Sequence, residues 1–126
     1  MIKRNALLVG VPQYDDNPKW DLPVVARDIS LMQDALEQSE YTVDVLGIGA
    51  NHTTRSRVRK AIRKACRQSG AETLLLYFSG HGVNYKGKDY LMPWDANDTS
   101  HSVEKLECSQ TLARNRIYKR PPPFRI

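Results

Sequence analysis

His81 stands between Gly80 and Gly82, directly after the apolar run Thr73–Ser79. An imidazole is the side chain that most readily gives and takes a proton near neutral pH. A neighbouring backbone N–H, here that of Gly82, can receive negative charge developing on a carbonyl oxygen. On residue logic alone the segment fits either that chemistry or a loop histidine between two turn glycines. The candidate nucleophiles are Cys66, Cys108 and Ser79. Ser79 lies only two residues before His81 on the same chain, a spacing that does not readily present its hydroxyl to the ring. His52, His81, His101 and the two cysteines lack metal-ligand spacing, so neither a zinc site nor a cofactor is expected.

The elements that position these residues follow from hydropathy. Asn5–Val11 and Thr73–Ser79 are short, nearly all-apolar runs, as expected of strands buried on both faces. Tyr41–Leu46 reads as a further strand. Between them lie two helices. The first carries the stripe Leu22, Val25, Ala26, Ile29, Met32 and Leu36, with Asp21 as its cap and Pro23 in its first turn. The second runs from Arg55 to Arg67, capped by Thr53 or Thr54, with Val58, Ala61, Ile62, Ala65 and Cys66 on one face and Gly70 at its stop. Val83–Tyr85 and Asp89–Met92, joined by Lys86-Gly87-Lys88, read as a hairpin. Alternating strands and helices with short links predict an α/β fold with a parallel sheet and right-handed crossovers. In such sheets ligands gather at the carboxyl ends of the strands, where His81 emerges.

Four segments in order resemble the caspase and metacaspase family of cysteine peptidases. Leu74–Gly82 is similar to the family's His-Gly segment, and Ala6–Val11 to its first strand. Leu22–Asp28 with Met32 and Leu36 resembles its first helix, with Asp28 at an acidic family position. Asp89–Ala96 resembles the tyrosine-leucine-x-proline-x-aspartate stretch that follows the histidine. The resemblance covers roughly residues 5–107, is closest to bacterial caspase-like domains, and implies the three-layer caspase-haemoglobinase fold. It also implies His81 as the proton-transfer residue, the Gly82 N–H as oxyanion donor, and a thiolate that attacks the scissile carbonyl of a peptide or protein substrate. Asp15, Asp16 and Asp95 are candidates for an acidic pocket taking Lys or Arg, as metacaspase-like relatives prefer. Lys19 is the one basic residue in the first loop, which disfavours a pocket that selects Asp.

The family's nucleophile follows a fourth apolar strand in an Asp-x-Cys-x-Ser-Gly-like stretch, about 50 residues after the histidine in caspases. The sequence given ends 45 residues after His81. Cys108 follows no apolar run, and Glu107 and Ser109 do not recreate the stretch, while Cys66 belongs to a helix core stripe. The sequence is therefore expected to lack the C-terminal strands and the nucleophile and to be inactive, with 1–107 a partial catalytic domain and 108–126 an irregular basic tail ending in prolines. A truncated or frameshifted gene accounts for this; a polyproline-II tail that binds a groove or an anionic surface is the competing account.

The formal charge of +5 suggests an anionic partner, but its distribution does not. Residues 1–107 hold 14 basic and 14 acidic residues, and the surplus lies in Arg114, Arg116, Lys119, Arg120 and Arg125. Nucleic acid or a membrane surface is thus disfavoured as a partner, and the basic face of the second helix reads as a solvated one. Gly47-Ile48-Gly49 lacks the third glycine and acidic partner of a nucleotide loop. With no export signal or membrane span in the sequence, the expected location is cytoplasmic, with both cysteines reduced. A non-catalytic interaction module, acting through an open edge of the third strand or through the basic tail, is the alternative to a peptidase, with self-association expected through that edge.

Overall fold

A computed structural model describes residues 3–15, 17–49, 51–68 and 70–96. Strand β1 (Arg4–Gly10) leads through a loop with a 3-10 turn at Pro18–Trp20 into helix α1 (Val24–Gln38). Strand β2 (Thr42–Leu46), helix α2 (Arg55–Arg67) and strand β3 (Thr73–Ser79) follow, then the hairpin of β4 (Gly82–Tyr85) and β5 (Lys88–Leu91). The sheet order is β2-β1-β3, all parallel, with Leu8 opposite Val45 on one side and Tyr77 on the other.

The pleat of β1 sorts its side chains between two cores. Ala6 and Leu8 pack with Val25, Ile29 and Leu36 of α1, and Leu7 and Val9 with Val58 and Ala65 of α2. Leu75 and Tyr77 of β3 join the α1 layer, and Leu74, Leu76 and Phe78 the α2 layer. The α1–sheet–α2 arrangement is why the apolar runs are unbroken rather than alternating: both faces of the strands are covered. Each buried Leu or Val contributes roughly 1.5–3 kcal/mol relative to exposure, so β1, with Leu7, Leu8 and Val9 at most 5% exposed, anchors both cores.

Helix α2 and strand β3 have the expected limits, and Thr54 caps α2 by accepting from the Arg57 N–H at 3.2 Å. The start of α1 differs from expectation. Asp21 does not cap it: the helix begins at Val24, Pro23 holds the cap position without a side-chain bond, and the Asp21 carboxylate instead accepts the Tyr14 N–H at 3.1 Å. Leu22 and Met32 still pack against the core, but Ala26 is exposed. The hairpin turn is shorter than expected. Lys86 and Gly87 both have positive φ, 50° and 79°, so a two-residue primed turn joins the strands and Lys88 opens β5. Among the described residues no helix is long and apolar enough to cross a membrane, and no cluster of three His, Cys, Asp or Glu is placed to hold a metal ion.

Candidate active site

The loop after β1 is tied at its base, where the Leu22 N–H donates to Pro12 O at 2.8 Å and the Tyr14 N–H to Asp21. Within it the 3-10 turn leaves the Trp20 carbonyl without a helical successor, as the last carbonyls of any helix are left. That oxygen lies 2.7 Å from Nε2 of His81. A carbonyl only accepts, so Nε2 carries the proton and donates it, and the neutral ring keeps its lone pair on Nδ1. The backbone sets the tautomer of the histidine.

Tyr14 holds the same residue from its other end. Its hydroxyl accepts the His81 backbone N–H at 2.7 Å, and its ring centroid is 5.2 Å from the imidazole. Trp20 completes the group, edge-on to Tyr14 with centroids 5.9 Å apart. Tyr14 is 3% exposed, and burial pushes its pKa up to about 12 against the smaller opposing effect of the His81 N–H. It is therefore a neutral hydrogen-bonding post at physiological pH. Met92 N–H donates to His81 O at 2.9 Å, fixing the third side.

The hairpin register orients the Gly82 N–H. The Met92-to-His81 bond marks that pair as hydrogen-bonded, and antiparallel pairs alternate, so Gly82 opposite Leu91 is a non-bonded pair. Its N–H points away from β5, on the outer side of the hairpin. A proton-accepting Nδ1 and an outward N–H on successive residues are the parts needed to protonate a leaving amine and to receive charge on a carbonyl oxygen.

The nucleophile candidates are not brought to this point. Ser79 donates to the Asp28 carboxylate at 3.3 Å, in the α1 layer, whereas the aromatic group around His81 belongs to the α2 side. Cys66 packs against the α2 core, and burial pushes its thiol pKa up, the reverse of an activated thiolate. Cys108 lies outside the described residues. Of the pocket candidates, Asp95 accepts the Arg55 N–H at 2.9 Å at the start of α2, and Asp15 is exposed, with its own N–H on Trp94 O at 3.0 Å. Asp16 lies outside the described residues. Gly47 is explained by packing, since a Cβ there would overlap Gly10 O and Thr53 Oγ1.

A family model described as a caspase domain matches residues 3–116. The chain belongs to the caspase domain family. No curated protein matches it. Membership supports a peptidase-like function on a protein or peptide substrate, and the α/β layers around a parallel sheet agree with the expected fold. The match also runs nine residues past residue 107, where the sequence comparison of motifs stops.

Two contributors to the arrangement around His81 have little or no signature in the sequence. The Trp20 carbonyl has no side-chain signature, since any residue supplies the same oxygen. Tyr14 left one clue, as one of two aromatic residues, with Trp20, in a loop otherwise polar but for its prolines.

Proposed function

We propose that this caspase domain carries the acid–base and oxyanion half of a cysteine-type endopeptidase site. His81 Nδ1 takes the proton of an attacking thiol and returns it to the departing amine, and the Gly82 N–H receives the charge of the tetrahedral carbonyl oxygen. The observation that carries this reading is the 2.7 Å contact between His81 Nε2 and Trp20 O, which leaves Nδ1 as the working nitrogen. The thiolate comes from outside the described residues, because Cys66 is committed to the core. With no family-like stretch around Cys108, the chain as given turns over no peptide by itself. Asp15, with Asp16, is the remaining source of preference for Lys or Arg, since Asp95 is engaged by α2.

The test uses fluorogenic Lys and Arg peptides with the full chain, alongside titration of the isotope-labelled chain with the same peptides. The expected result is no turnover, with peptide-induced shifts of the Gly82 amide and the His81 ring. Turnover lost in both His81→Ala and Cys108→Ala would make Cys108 the nucleophile. Turnover that survives His81→Ala, or an unmoved Gly82 amide, overturns the assignment.

One observation favours a second reading, an interaction module. Among the described residues β3 pairs with β1 alone, and Val24 and Leu31 of α1 are 54% and 58% exposed. The edges of apolar strands add strands from other chains. Sedimentation showing a stable dilute monomer, with β3 amides protected from exchange, would refute it.

A further inference from the structure

Helix α2 places seven cations in thirteen residues, with no carboxylate among them. Its apolar residues Val58, Ala61, Ile62, Ala65 and Cys66 face the core, which turns Lys60, Arg63, Lys64 and Arg67 outward, and all four are exposed. At 1.5 Å per residue the helix is about 20 Å long and these four residues span about 10 Å of it. Like charges at i and i+4 destabilise a helix, and this helix holds Arg55–Arg59, Arg59–Arg63, Lys60–Lys64 and Arg63–Arg67. After burial, the Arg59 guanidinium pushes the Arg55 pKa down, and the Asp95 carboxylate opposes it. Arg55 and Arg57 stand in the first turn, where the helix dipole disfavours cations, while Lys64 and Arg67 stand in the last, where it favours them. A sequence that violates local charge rules along one solvent-facing row retains a cost that an external anion relieves.

We propose that the outer face of α2 docks an acidic segment of a protein partner. Five of the seven cations are arginine, whose planar fork pairs with carboxylates through two hydrogen bonds. The row is short, and at the start of the helix Asp95 stands on the Arg55 N–H. A ligand of a few carboxylates matches that length; a long polyanion meets the Asp95 carboxylate past the start of the helix. The row also lacks the aromatic residues on which nucleic-acid bases stack. This surface is separate from the His81 site and does not depend on its chemistry.

The test measures anisotropy of a fluorescein-labelled oligoglutamate with the full chain at low salt, where exposed pairs are least screened. Binding is expected to weaken by about tenfold or more in Lys60→Gln/Arg63→Gln/Lys64→Gln/Arg67→Gln, the combined loss of several modest exposed pairs. That variant should keep the helical circular dichroism of the parent, so that weakened binding reports the lost charges and not an unfolded chain. Substituting Arg114, Arg116, Lys119, Arg120 and Arg125 with Gln should leave most of the affinity intact. Loss in that second variant instead, or unchanged binding in the first, overturns the proposal. Tighter capture of oligothymidylate than of oligoglutamate through the same four residues also overturns it, making the row a nucleic-acid surface.

Discussion

The Nε2 of His81 and the backbone oxygen of Trp20 lie 2.7 Å apart, sixty-one residues distant in sequence. Because that oxygen can only accept, Nε2 carries a proton, and the neutral form of the imidazole is the Nε2–H tautomer. Nitrogen-15 shifts of the labelled ring are expected to show a protonated Nε2 and a bare Nδ1. Trp20→Phe should preserve this tautomer, since the partner atom is backbone.

Asp21 holds the loop that presents Trp20. Asp21→Ala removes the acceptor of the partly buried Tyr14 N–H, and a hydrogen bond to a charged group contributes about 1.5–3 kcal/mol. A fall in urea midpoint with an unchanged slope is expected, together with loss of the single His81 tautomer. A variant that lost stability alone would separate the loop from the ring.

How legible was this arrangement beforehand? Thr73–Ser79 and Arg55–Arg67 were readable to the residue because hydropathy period and caps agree there. Asp21 misled because an Asp before a helical stripe looks like a cap, while a distant N–H competes for it and Pro23 already begins the turn. His81 was visible through its glycines and its place after the third strand. Tyr14 and the Trp20 oxygen were not, since their roles arise only when the first loop folds back over the end of β3.

Tyr14 titrates with an alkaline signature. Its folded pKa of about 12 exceeds the unfolded value of 10.0, so the unfolded state loses its proton first. Its contribution is complete below pH 10 and is lost as pH rises toward 12, an effect of about 2–3 kcal/mol. Urea midpoints from pH 8 to 12 should fall more steeply for the wild type than for Tyr14→Phe. Cys66 and Tyr77, also pushed up chiefly by burial, remain in both chains and cancel in the comparison.

Gly80 has no room for a side chain. A Cβ would stand 2.9 Å from the Phe78 ring and 3.1 Å from the Tyr14 hydroxyl. Gly80→Ala is expected to cost about 1–3 kcal/mol by overpacking and to displace Tyr14 from the His81 N–H. Faster exchange of that one amide, beyond the global loss of stability, is the measurement that detects it.

The stretch Met92–Ala96 is stitched at four points. Met92 N–H bonds His81, Trp94 N–H bonds Thr53, Trp94 O takes the Asp15 N–H, and Asp95 takes the Arg55 N–H. In mechanical terms it is a truss joining the histidine, the loop after β1 and the first turn of α2. No one of the three can rotate without straining the bonds to the other two. The alignment of His81 is thus a collective property of parts that are remote from one another along the chain, and the start of α2 is tied through this stretch to the His81 backbone.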